Sequence, residues 1–222
     1  MGVNALQLNS LKEELLPYGA TLVAVSKTKP LADIEEAIQL KQFDFGENYV
    51  QELLEKNEQI STKVNWHFIG HLQSNKAKQV VPVATLIHGV DSFSLLNEIN
   101  KQASKNGVTA HCLLQIFIAN ETTKFGLSFD ECDQLLNNKQ LAELKNISIC
   151  GFMGMATNTE NINQISHEFR SLRQFFEKHI SSFSLSNKLA PVLSMGMSAD
   201  YKIALQEGST LIRIGSAIFG SR

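Results

Sequence analysis

TLVAVSKTKP, residues 21–30, is apolar on both faces from Leu22 to Val25 and then places Lys27 where the apolar run stops, with Lys29 two positions on. A strand that is apolar on both faces is covered on both, as in a parallel sheet with helices packed over it. The pattern recurs in FDFGEN (43–48), WHFIG (66–70), TLIHGVD (85–91), HCLLQIFIA (111–119), ISICGFMGM (147–155), PVLSMGM (191–197) and TLIRIGSAIF (210–219). Helical patterns lie between these segments, among them LADIEEAIQLK, SLLNEINKQASK, ENINQISHEFRSLRQFFEKHI and SADYKIALQEG. Eight strand segments in 222 residues match the size of a (β/α)8 barrel. An open doubly wound sheet is the competing topology, but it calls for a glycine-rich turn after the first strand, where SKTKP stands. The expected fold is therefore α/β: a single (β/α)8 barrel of TIM type, one domain over residues 1–222. An extra N-terminal helix is expected in MGVNALQLNSLKEELLPYG, with Leu6, Leu8, Leu11, Leu15 and Leu16 forming its apolar stripe.

A chain of this length buries roughly 70% of its unfolded surface, so its core needs neither a disulfide nor a cofactor. With 43% hydrophobic residues, 19% charged residues and a net charge of −2, it has no field that would gather nucleic acid or an anionic membrane. No apolar run approaches the roughly 20 residues of a membrane span. The N-terminus lacks the basic start and apolar core of a signal peptide, and Leu6 stands where a myristoylation motif needs Ser or Thr. Cys112, Cys132 and Cys150 are odd in number, far apart and free of CxxC spacing, which argues against a disulfide framework or structural zinc. A cytoplasmic protein whose partners are small molecules or other proteins is expected.

In such a barrel the C-terminal ends of the strands face the active site. The polar residues there are Lys27, Glu47, Asn48, His71, Asp91, Ser92, Lys124, Ser198, Arg213, Gly215 and Ser216. Lys27 reads either as a strand-end lysine with its charge in water or as a Schiff-base lysine, whose apolar neighbours disfavour the charged form and expose the amine. Barrels of this class often bind phosphate with the loops after their last two strands and a helix N-terminus. Two segments qualify: SMGMSADYKIALQEG, with Ser198 at the expected N-cap of a helix beginning near Ala199, and RIGSAIFG, with Gly215 and Ser216. Each also reads as an ordinary cap or turn.

Arg213 has the parity of a lumen-facing residue and needs either a carboxylate such as Glu47 or Asp200 or a ligand nitrogen. His67 and His71 are four apart but begin in a strand and lack an HExxH carboxylate, so no metal site is expected. Asn48 reads as a helix cap at the rim, and GFMGMAT as core.

Taken in order, VAVSKTKP, FGENYVQE, WHFIGHLQSNK, KFGLS, GFMGMAT and LSMGMSADYKIALQEGSTLIRIGSAIFG resemble the YggS/PROSC group of pyridoxal phosphate homeostasis proteins over nearly the whole chain. Phe117 and the GFMGMAT variant depart from the usual pattern of that group. The resemblance implies a barrel similar to the N-terminal domain of alanine racemases, binding pyridoxal 5'-phosphate (PLP) as a reversible Lys27 aldimine. It also implies that Ser198, Gly215 and Ser216 hold the phosphate, that Arg213 faces the pyridine nitrogen and that Asn48 lies near the ring. The implied function is non-catalytic PLP homeostasis: a monomer that buffers the cofactor or delivers it, with PLP-dependent apoenzymes as candidate recipients.

The alternatives are a PLP-dependent racemase-like enzyme and a PLP-free aldolase using Lys27. Racemisation needs a second acid/base, which racemases supply as a tyrosine from an additional β domain. Tyr18, Tyr49 and Tyr201 do not obviously replace it. An arginine opposite the ring nitrogen also weakens the ring as an electron sink.

Overall fold

The computed structural model describes residues 2–120, 125–183 and 191–220. Its strands are β1 (Thr21–Val25), β2 (Asp44–Glu47), β3 (Asn65–Phe68), β4 (Leu86–Val90), β5 (Ala110–Ile116), β6 (Ile147–Gly154), β7 (Val192–Ser194) and β8 (Leu211–Ile214). All pair in parallel, in sequence order, and β8 closes on β1 with Val23 opposite Arg213. The helices are α1 (Ala5–Leu15), α2 (Leu31–Gln39), α3 (Val50–Gln59), α4 (Ala77–Val80), α5 (Phe93–Lys105), α6 (Phe129–Leu136), α7 (Ile162–His179), α8 (Tyr201–Gln206) and α9 (Ser216–Phe219). The barrel and its extra N-terminal helix are those expected.

The two-faced apolar strands divide between two cores. Leu22, Ala24, Phe45, Phe68, Leu114, Phe152, Leu193 and Ile212 face the helices in one large cluster. Val23, Leu86, Leu113, Cys150, Met153 and Leu211 fill the lumen in a second. Val23, Val25 and Lys27 share one parity in the first strand segment, so the chain that buries Val23 in the lumen aims Lys27 toward the barrel mouth.

Both Cys150 and Met153 reach the lumen because the β5–β6 register shifts by one residue at Cys150, between the Cys112–Ile149 and Leu113–Gly151 pairs. Gly151 has φ 147°, and a Cβ there would lie 1.9 Å from Val192 O, so the position accepts only glycine. GFMGMAT is mostly core, as expected, although its Met155 reaches the cavity.

The N-terminal stripe is narrower than its leucines suggest. Leu8, Leu11 and Leu15 are buried at helical spacing, whereas Leu6 and Leu16 are exposed. Asn4 caps α1 by accepting from Gln7 N, and its own N–H donates to Ile218 O at 2.8 Å, fastening α1 to α9. The last expected strand, 210–219, also stops early: it ends at Ile214, and Ser216–Phe219 turn into α9. Among the described residues no helix is long and apolar enough to cross a membrane.

Candidate functional site

The strand C-termini and the loops after them enclose a cavity of about 470 Å³. Lys27, Asn48, Ser198, Arg213, Gly215 and Ser216 all line it, together with Val25, Ile69, His71, Gln115, Phe125 and Met155. Lys124 lies outside the described residues.

Lys27 sits in a turn that is braced from behind. Ser26 N donates to Gly46 O and Lys29 N to Ser26 O, each at 3.0 Å. Thr28 takes the left-handed φ of 62°, and its N–H donates to Glu52 Oε1 at 2.6 Å. Beneath the turn, Lys56 Nζ donates to Ser26 O at 2.7 Å, Glu47 Oε1 at 2.8 Å and Glu52 Oε1 at 2.6 Å, while Ser26 Oγ donates to Glu47 Oε1 at 2.6 Å. The backbone on both sides of Lys27 is thus tied to α3. Lys29 also lines the cavity, and its Nζ donates to Phe219 O at 2.9 Å and Gly220 O at 3.1 Å.

Glu47 therefore belongs to this brace, not to Arg213. It has the outward parity of Phe45, and its Oε2 is buried without a hydrogen-bond partner among the described residues. Burial raises its pKa, against the opposing effects of Lys56 and Ser26. A carboxyl raised on folding contributes stability at low pH that is lost as pH rises through its folded value. Unfolding by urea at about pH 4 and about pH 7 should show wild type losing ground to Glu47→Gln at the higher pH. A difference that moves the other way contradicts this assignment.

Arg213 points into the lumen, as its parity indicates. Nη1 donates to Ser194 O at 3.0 Å and to Ser194 Oγ, and Nη2 donates to Gly154 O at 3.2 Å. Burial lowers the guanidinium to about 10, partly offset by Asp200, so it stays charged at neutral pH.

The two phosphate-type segments meet. Ser216 Oγ donates to Ser198 Oγ at 3.2 Å. Gly215 precedes α9 and packs on β1, where a Cβ would come within 3.2 Å of Val25 O. Gly196 adopts φ 91° against α8, with room for no side chain beside Ala204. These glycines keep that wall free of side chains.

Two expected caps are displaced. α8 begins at Tyr201 with Asp200 as its N-cap residue, and Asp200 Oδ1 accepts from Met197 N at 2.6 Å, so Ser198 stands in the preceding turn. Tyr49, not Asn48, occupies the N-cap of α3. Asn48 is held at the rim by close backbone packing on Gly70, where a Cβ would lie 2.3 Å from Asn48 O.

Sequence reasoning missed Gln115 and Phe125. Gln115 Nε2 donates to Phe125 O at 2.7 Å, and the exposed Phe125 ring stacks on His71 at 4.8 Å between centroids. The signal was present, since Gln115 is the polar residue of lumen parity two positions after Leu113. The Lys56 brace was also missed, although Glu52 and Lys56 stand at i, i+4 on a helix.

The alanine racemase N-terminal domain family matches residues 5–222. The pyridoxal phosphate homeostasis protein of Escherichia coli is 38% identical, with 93% of this chain and 87% of that protein covered. The homologue of the same name from Aquifex aeolicus is 36% identical, covering 91% of this chain and 87% of that protein. PipY of Synechococcus elongatus, solved with PLP bound, superposes with a TM-score of 0.86 at 34% identity, covering 97% of this chain and 99% of that one. An alanine racemase from Clostridium difficile shares the fold at a TM-score of 0.72 and 13% identity, and the match spans 95% of this chain but 57% of the racemase.

Proposed function

The chain belongs to the alanine racemase N-terminal domain family and, within it, to the pyridoxal phosphate homeostasis proteins, and from that premise we propose that it holds PLP reversibly on Lys27 for buffering or delivery to PLP-dependent apoenzymes. The observation that carries this reading is the convergence of an amine, a guanidinium and a pair of hydroxyls on one cavity.

Those groups fit the three ends of PLP. Lys27 would supply the amine and bound PLP an aldehyde, a pairing that water or a second amine can reverse. Ser198, Gly215 and Ser216 hold the phosphate, where hydrogen bonds to a charged group contribute about 1.5–3 kcal/mol each. Arg213, charged at neutral pH, presents N–H donors to the pyridine nitrogen and so keeps it unprotonated. Asn48 flanks the ring from the rim. The volume of about 470 Å³ lies in the range of small-ligand sites.

An unprotonated ring withdraws electrons weakly from a carbanion, which favours holding the cofactor over turnover. Among the described residues, no tyrosine lines the cavity; Tyr201 Oη instead donates to Glu14 Oε2 at 3.0 Å. The reading makes the protein a cytoplasmic monomer of one barrel domain that carries no catalytic residue.

One observation favours a racemase-like reading: His71 lines the cavity, and its Nδ1 lies 3.6 Å from Asp91 Oδ2, an imidazole and carboxylate suited to proton transfer. The two readings separate in one experiment. PLP-loaded protein is mixed with an apo form of a PLP-dependent enzyme, and recovery of that enzyme's activity is followed beside racemase and decarboxylase assays over the common amino acids. Recovery without amino-acid turnover is expected. Rapid turnover that is lost in both Lys27→Ala and His71→Ala would make this an enzyme, and cofactor that never leaves would remove the delivery role.

A further inference from the structure

Behind the cavity, the lumen contains a polar chain that none of the site chemistry above uses. His67 Nε2 lies 3.2 Å from Asp44 Oδ1, His67 Nδ1 lies 2.9 Å from His88 Nε2, and His88 Nδ1 lies 3.2 Å from Ser194 Oγ. Ser194 Oγ then accepts from Arg213 Nη1. The five residues come from β2, β3, β4, β7 and β8, so the chain crosses the barrel from the start of β2 to the cavity floor. His67, His88, Ser194 and Arg213 are all buried, and Asn65 Nδ2 holds Asp44 by donating to Oδ1 at 3.0 Å.

With one proton on each imidazole, the direction of every hydrogen bond follows from the Asp44 end. A guanidinium only donates and a carboxylate only accepts. His67 then carries its proton on Nε2, facing Asp44, and Nδ1 is the acceptor. His88 then donates from Nε2 and accepts at Nδ1. Ser194 completes the run by accepting from Arg213 and donating to His88. Complete burial, with His67 and Arg213 nearby, holds the His88 pKa well below its ordinary value and keeps the ring neutral. Arginine does not pass its proton on, so the chain sets geometry and polarity and carries no proton to the cavity.

We propose that Asp44, His67, His88 and Ser194 form a positioning relay for Arg213, fixing the rotamer in which its remaining N–H groups meet the ring nitrogen of the ligand. His88 is its centre: it sets the tautomer that lets Ser194 accept from Arg213 while donating away from it. This rests on the reading in which Arg213 meets the pyridine nitrogen.

The relay itself is tested without ligand. Two-bond proton–nitrogen correlation spectra of histidine-labelled wild-type protein at neutral pH, assigned with His88→Gln and His67→Gln, report which ring nitrogen bears the proton. Both rings should carry it on Nε2 alone; a proton on Nδ1 of either ring overturns the relay.

Its action on Arg213 is read in the PLP-loaded protein as the pH midpoint of the visible band. His88→Gln can accept from Ser194 and donate to His67, and should keep the wild-type midpoint. His88→Leu can do neither, and Ser194→Ala removes the link to Arg213; each should move the midpoint by about half a pH unit or more. Equal behaviour of the Gln and Leu variants overturns the positioning role. Should wild type form no visible band, the PLP reading fails, while the nitrogen spectra still decide the relay.

Discussion

Lys27→Ala is expected to abolish the visible absorbance band that PLP forms with the wild-type chain and to weaken PLP binding by about tenfold or more. Lys27 meets two requirements together: its parity places it at the cavity, and the backbone on either side of it is fixed by Glu52, Lys56 and Gly46. Lys27 is half-buried and the variant leaves that brace untouched, so without PLP its loss of thermal stability should be small beside that of Lys56→Met. Titration with PLP, followed by absorbance and by equilibrium dialysis, separates the covalent loss from phosphate and ring contacts that remain. A band of wild-type intensity in Lys27→Ala would place the attachment on another amine.

Lys56→Met should cause the largest loss of stability. Lys56 and Glu47 are both nearly inaccessible to solvent, and Lys56 is the cation that offsets the Glu47 charge. Removing one partner of a buried pair costs about 3–5 kcal/mol, because the other charge is left uncompensated. For a chain of this size that corresponds to a fall in Tm of roughly 10 °C. Ser26 O and Glu52 lose their donor at the same time, so the turn around Lys27 loosens and PLP binding weakens with stability. The double variant Glu47→Gln, Lys56→Met should regain most of the stability, since no buried charge is then left unpaired. Thermal unfolding of the three variants beside wild type checks this; a double variant no more stable than Lys56→Met would assign the loss to packing.

The barrel was legible in the sequence because its strands carry apolar residues on both faces, and β1, β5 and β6 do so over five, seven and eight residues. Strand ends were less legible. TLIRIGSAIF stays apolar beyond Ile214, yet β8 ends there and the chain turns into α9 after Gly215, which packs on Val25 O. That the six candidate residues would line one cavity could be read from their place at strand ends and from parity, which put Arg213 in the lumen. Their supporting partners could not. Lys56 is 29 positions from Lys27, and His67, His88 and Ser194 occupy three different strands, so only closure of the barrel brings them together. The caps failed for a local reason: Ser198 and Asn48 have the right chemistry, but the backbone starts α8 and α3 further along.

The central claim is that PLP is held on Lys27 and can leave. Protein loaded with one equivalent of PLP is divided: one half is reduced with hydride at once, the other after incubation with a PLP-dependent apoenzyme in excess, and both are mapped by mass spectrometry. The account predicts a pyridoxyl group on Lys27 in the first half, and its loss in the second as the recipient gains activity. Label found chiefly on Lys29 or Lys124, or label on Lys27 undiminished by the apoenzyme, would contradict it.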